Sequence, residues 1–218
     1  MLNTCPVLVI LSAPTITRSK RPLSIATVGY GTALGVVRSA STQGKKIKLF
    51  ATESRPVLQG ARLTAFEMLN DGFDVTLLPD TAVGIAMERG LFDRVIVGAD
   101  RITRTGHVFN KVGTYQIATL AKRHGVPFYV AAPISSFDFD TDWKSVEIEE
   151  RAPEEVRTIS GIATAPSEVS VFNPSFDCTP PELVTAIICE AGVLRKPFAP
   201  KIRKIKSELA KRNRKPNR

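Results

Sequence analysis

No Cys-x-x-Cys pair, no Gly-x-Gly-x-x-Gly loop and no apolar run long enough to cross a membrane occur in this sequence, and it holds only two histidines. The three cysteines, Cys5, Cys178 and Cys189, are an odd set with no histidine at ligand spacing. That argues against a disulfide framework and against a metal site, and favours a reducing, cytoplasmic setting. His107 and His124 have no Ser or Cys partner at a recognisable spacing, so both read as surface residues. Gly29, Gly31 and Gly35 in "GYGTALG" miss the dinucleotide fingerprint, which sets nicotinamide cofactors aside. The opening "MLNTCPVLVILSAP" has a short apolar core but no basic residue before it, a poor signal peptide. No internal repeat is visible.

What is present suits one globular domain with appendages: 218 residues, 43% hydrophobic and 7% aromatic. The net charge of +9 is localised. Arg195 to Arg218 hold eleven Lys/Arg against one acid, Glu208, so the other 194 residues sum to −1. Within that tail Ile202, Ile205 and Leu209 stand at helical spacing, which predicts a short amphipathic helix that docks and then frays. A basic run also attracts polyanions, but no aromatic besides Phe198 interleaves the charges, so nucleic-acid binding is the weaker reading.

Apolar segments of strand composition recur at "KIKLFA", "DVTLLP", "RVIVGA", "PFYVAA" and "VSVFN", separated by segments that can hold helices. The helical candidates are "GTALGVVRSAST", "RPVLQGARLTAFEMLN", "AVGIAMER", "KVGTYQIATLAKRHG" and "PPELVTAIICEAG", the last with a capping box of Thr179, Pro180 and Glu182. Such alternation predicts an α/β fold: a Rossmann-like open, mostly parallel sheet with helices on both faces. Ligands in such sheets sit outside the carboxyl ends of the strands, and three of those ends are chemically loaded: "ATESRP", "PDTAVG" and "GADRITRTG".

Asp100 follows the small residues Gly98 and Ala99 at a strand end. A half-enclosed carboxyl there resists ionisation and can serve as a general acid; alternatively it caps a turn or pairs with Arg101 or Arg104. Asn110 and Lys111 are expected at the start of the following helix, with Asn110 as N-cap. A helix N-terminus, an amide and a lysine suit a phosphate, but a cation at the positive end of the helix dipole calls for a compensating anion. Gln59 is expected one turn into the helix of "SRPVLQGARLTAFEML", with Gly60 and Ala61 as small neighbours, and its amide is either bonded to a neighbouring loop or presented to a substrate hydroxyl. Asp80 and Thr81 either orient ligand or, the favoured reading, cap the "AVGIAMER" helix.

The strings "RPVLQGARLTAFEML", "VIVGADRI", "NKVGTYQIATLAKRHGVPFYVAAP", "IEERAPEEV" and "FNPSFDCTPPELVTAIICEAGV" closely resemble the methylthioribose-1-phosphate isomerase family. That family shares a superfamily with ribose-1,5-bisphosphate isomerase and the regulatory subunits of translation initiation factor 2B. The resemblance implies an aldose-ketose isomerisation in methionine salvage, from S-methyl-5-thioribose 1-phosphate to S-methyl-5-thioribulose 1-phosphate, with no cofactor. It puts the proton donor on Asp100 and substrate contacts on Gln59, Asn110 and Lys111. A homodimer is implied as well. The alternatives are a non-catalytic regulatory module and the bisphosphate isomerase.

The pattern breaks near the start. The family's His-Cys-Asn-x-Gly loop is replaced by "RSKRPLS", with Lys20 at the place of the cysteine, and Cys5 lies twenty residues before Ile25. An N-terminal helical domain with an Arg-Gly-Ala phosphate loop also has no counterpart. The expected organisation is therefore an atypical leader over 1–24, a Rossmann-like catalytic domain over 25–194 and a basic amphipathic tail over 195–218, with activity impaired by truncation.

Overall fold

The computed structural model describes residues 23–28 and 31–213. Cys5 and Lys20 lie outside the described residues. Seven strands form the main sheet: β1 (Leu23–Val28), β2 (Ile47–Thr52), β3 (Asp74–Leu78), β4 (Arg94–Val97), β7 (Phe128–Ala131), β12 (Ala186–Cys189) and β13 (Gly192–Arg195). Their order across it is β13-β12-β7-β4-β1-β2-β3. All neighbours are parallel except β12 and β13. The winding runs outward from β1 through β2 and β3 on one side and through β4, β7 and β12 on the other. Its direction thus reverses between β1 and β4, where such sheets open a crevice.

Successive strand residues point to opposite faces, and the core divides accordingly. Val95, Val97, Phe128 and Val130 pack on one face with α3 (Val83–Glu88), α4 (Thr114–His124) and α6 (Phe198–Asn213). Ile96, Tyr129 and Ala131 pack on the other, with α1 (Thr32–Thr42) and with Met68 of α2 (Ala65–Asn70). Arg38 ties α1 to the end of α2 by donating to Glu67 at 3.0 Å and to Asp71 at 2.6 Å. The expected fold class is the one observed.

A second sheet is built from β5 (Arg101–Thr103), β6 (Val108–Lys111), β8 (Phe137–Asp138) and β11 (Phe176–Thr179), in the order β11-β6-β5-β8. Because β5 follows β4 after only three residues, this sheet stays close to the carboxyl end of β4. Between β8 and β11 the chain adds a short helix, α5 (Glu154–Arg157), and a hairpin of β9 (Thr158–Ile159) with β10 (Ile162–Ala163).

Three expected elements differ. "PPELVTAIICEAG" is not a helix: after a single 3-10 turn at Pro181–Leu183 it becomes β12. Its β-branched Ile187 and Ile188 are buried on opposite faces of the sheet between β7 and β13, an environment that outweighs the local capping signal. "VSVFN" is not a strand: residues 169–173 are irregular, Phe172 is exposed, and no described strand pairs with the run. "RPVLQGARLTAFEMLN" is not helical at its start: residues 55–58 form a turn, and a π-helical turn at Gly60–Thr64, with Gln59 as its N-cap, leads into α2.

Candidate active site

Gly98, Ala99 and Asp100 leave the end of β4 and form one wall of a cavity of about 330 Å³. The other walls are Ser54 beyond β2, Gln59, Asn110 and Lys111 of β6, and Phe176 of β11. All four predicted residues therefore meet in one place. The cavity lies at the carboxyl ends of the strands, the side that this topology reserves for ligands.

Asp100 sits at the cavity mouth, its backbone N–H donating to the Phe109 carbonyl at 2.9 Å. Although much of its surface is open, the walls around it remove enough water to raise its pKa; the charge of Lys111 and a backbone N–H oppose the rise without cancelling it. Neither arginine that could neutralise Asp100 does so: Arg101 pairs with Asp138 at 3.5 Å and Arg104 with Asp142 at 2.7 Å. A carboxyl with a raised pKa and a free approach from the cavity is suited to proton donation.

Lys111 is half-buried, and desolvation lowers its pKa first, with Arg151 adding to the effect; Glu155, Asp100 and Glu149 oppose it. No ion pair holds Lys111 among the described residues. The charged form of such a lysine is stabilised when an anion arrives beside it. Asn110, only 5% exposed, donates from its side-chain amide to Thr114 Oγ1 at 2.9 Å, and Thr114 in turn donates to the Lys111 carbonyl at 2.6 Å. This chain of bonds fixes the turn that follows both residues.

The helix boundary differs from expectation. Asn110 and Lys111 belong to β6, and α4 begins at Thr114 with Gly113 as its N-cap. The capping anion comes from elsewhere in the chain: the Asp177 carboxylate accepts from Gly113 N–H at 2.7 Å and from Tyr115 N–H at 3.0 Å. Asp177 thus supplies the negative charge that this helix N-terminus calls for. Asp80 is not a cap either. Its two oxygens accept from the backbone N–H groups of Ser54 and Arg55 at 2.9 and 2.7 Å, because the carboxyl ends of β2 and β3 are neighbours.

Gln59 reaches the cavity through a close backbone approach. Gly60 opens the π-helical turn, and a Cβ there would lie 1.7 Å from the Thr52 carbonyl oxygen. Only glycine lets the turn rest against β2 and carry Gln59 to the site. Gln59 Oε1 is buried and has no hydrogen-bond partner among the described residues, so of the two readings of its amide, presentation to a ligand is the one this geometry favours. Ser54, 5% exposed, adopts a left-handed backbone with φ of 62°. Such strain in a non-glycine residue costs about 1–3 kcal/mol and concentrates at functional sites.

Two lining residues, Ser54 and Phe176, escape sequence reading. Ser54 lies inside the loaded "ATESRP" end but has no distinguishing neighbour, and Phe176 is placed opposite Lys111 only by the antiparallel pairing of β11 with β6. His107 is also not a plain surface residue: it is half-buried and stacks on Trp143 at 4.7 Å between ring centroids, while His124 is exposed as expected.

Residues 9–196 match the model of the initiation factor 2 subunit family. The chain belongs to the initiation factor 2 subunit family. Among its relatives in this family, methylthioribose-1-phosphate isomerase of Fervidobacterium nodosum is 56% identical over 186 residues, which is 85% of this chain and 53% of that protein. The solved 5-methylthioribose 1-phosphate isomerase of Pyrococcus horikoshii superposes with a TM-score of 0.81 at 44% identity, covering 85% of this chain and 55% of the other. The translation initiation factor eIF-2B subunit delta structure from A. fulgidus gives a TM-score of 0.80 at 49% identity, over 84% of this chain and 57% of the other. The chain therefore spans about half the length of the curated relatives it matches.

Proposed function

We propose that this chain carries the Asp100 side of the active site of an aldose-ketose isomerase that converts S-methyl-5-thioribose 1-phosphate to S-methyl-5-thioribulose 1-phosphate. The observation that carries the reading is the meeting of Asp100, Gln59, Asn110 and Lys111 around one cavity, in a chain 56% identical to a methylthioribose-1-phosphate isomerase. Asp100 donates a proton to the ring oxygen and so opens the sugar, which leaves C1 electron-poor. Hydrogen is then transferred from C2 to C1 with its bonding pair, C1 keeps its phosphate ester, and the C2 hydroxyl releases its proton to solvent, from which Asp100 is reprotonated, as C2 becomes the ketone. Lys111 and the Asn110 amide offset the negative charge of the phosphate and of the oxygen at C2, and Gln59 Oε1 accepts from a sugar hydroxyl. Fixed donors and acceptors of this kind lower the barrier because they need no reorganisation during the reaction.

No helix among the described residues is long and apolar enough to cross a membrane. A cytoplasmic homodimer acting on a freely diffusing sugar phosphate completes the reading; the free thiols of Cys178 and Cys189 suit a reducing compartment.

The likeness to the A. fulgidus initiation-factor subunit favours a second reading, a regulatory module that binds but does not turn over. Turnover separates the two. The full chain is assayed for ketose formation beside its Asp100→Asn variant. We expect the variant to retain binding and lose about 10²–10⁴ in kcat. Turnover by the unaltered chain decides for the isomerase; binding without turnover leaves it a regulatory module or an isomerase half that does not catalyse alone.

A further inference from the structure

Gln59 Oε1 has no hydrogen bond of its own among the described residues, so its place in the cavity is set by the backbone that carries it. That backbone is gripped from a neighbouring strand. Ser54 and Arg55 lie just beyond the carboxyl end of β2, and Asp80 lies just beyond β3, the strand paired with it. We propose that Asp80 is a positioning residue for the sugar phosphate, acting through Gln59: it holds the Ser54 turn in the conformation that delivers the Gln59 amide to the cavity. This assignment rests on the sugar-phosphate reading given above.

The grip fits a carboxylate. One Asp80 oxygen accepts from Ser54 N–H at 2.9 Å and the other from Arg55 N–H at 2.7 Å. Two successive backbone N–H groups facing one way make a concavity that favours an anion, and bonds to an ionised acceptor are the stronger kind. Ser54 needs such a hold, because it is a buried non-glycine residue in the left-handed region. An asparagine has the same size but only one acceptor oxygen, and its amide would set N–H against N–H.

From Ser54 the constraint passes to Gln59 by short steps. The Ser54 carbonyl accepts from Leu58 N–H at 2.9 Å, Leu58 is also left-handed with φ of 61°, and its own carbonyl accepts from Arg62 N–H at 2.8 Å. Gln59 follows Leu58 directly and is thus held between these two bonds. The Ser54 hydroxyl also packs under the next residue, since a Cβ on Gly60 would lie 2.9 Å from Ser54 Oγ. A shift of Ser54 therefore reaches the peptide on either side of Gln59, whereas Asp100 is carried separately by the end of β4.

The test is a double-mutant cycle read by calorimetric titration of S-methyl-5-thioribose 1-phosphate into the full chain. Asp80→Asn alone is expected to weaken binding about tenfold. In a Gln59→Ala background the same change is expected to cost less than about twofold, and in an Asp100→Asn background the full loss of about tenfold is expected to remain. An equal loss in all three backgrounds, or no loss in any, overturns the inference and leaves the isomerase reading standing. Failure of the unaltered chain to bind the sugar overturns both. Hydrogen exchange followed by mass spectrometry should show Asp80→Asn exchanging faster only around residues 53–62. Faster exchange spread over the whole chain would mean a general loss of fold and would also overturn the assignment.

Discussion

The Asp177 carboxyl is pushed up to about 6, because burial outweighs the two backbone N–H groups that favour its charged form. A carboxyl whose folded pKa is raised contributes most to stability below the ordinary carboxylate range, and that contribution is lost as pH rises to about 6. Urea unfolding followed from about pH 4 to about 7.5 should therefore show the unaltered protein losing stability relative to Asp177→Asn up to about pH 6 and levelling above it. A parallel offset at every pH would mean that Asp177 does not titrate there. At this same scale the sequence marks Asp100, through two small residues and a strand end, and Gln59 alike, each as a choice between two roles. Phe176 is invisible in it because the residue lies far along the chain from Lys111, and only strand register brings the two together.

Among the elements, the π-helical turn at Gly60–Thr64 is the one that most directly shapes the site. Gly60→Ala would force its Cβ into the Thr52 carbonyl, and backbone cannot retreat as a flexible side chain does. We expect a loss of about 1–3 kcal/mol in stability, with weaker binding of sugar phosphate as Gln59 is displaced; thermal unfolding with and without the sugar measures both. The strands β2, β3, β4 and β7 and the helices α1, α3 and α4 are legible because each carries its own apolar pattern and stop signal. Gly125, for example, closes α4 in a left-handed conformation with φ of 69°, as a glycine after the last helical turn predicts. β12 is not legible. Pro180, Pro181 and Glu182 just before it imitate a helix start, while the reason it is a strand lies in β7 and β13 on either side.

For the whole molecule, α6 decides what the basic tail is. Ile202 is 1% exposed and belongs with Phe198 and Ile205 to the same core as the strands, while Lys204 is exposed and Lys206 pairs with Asp140. Ile202→Ala should lower stability by about 2–5 kcal/mol, shifting the urea midpoint with little change in slope, whereas Lys204→Ala should fall within about 0.5 kcal/mol. Equal effects of the two would show that the helix is not docked in solution. The sequence by itself determined the alternation of strands and helices, the amphipathic face of the tail and the residue types able to move a proton or hold a phosphate, because each is written in neighbouring residues. Tertiary structure alone decided that Asp177 caps α4, that Asp80 holds the Ser54–Arg55 loop and that Phe176 closes the cavity. Those contacts join segments far apart in the chain, and their geometry exists only once β2 has paired with β3 and β6 with β11.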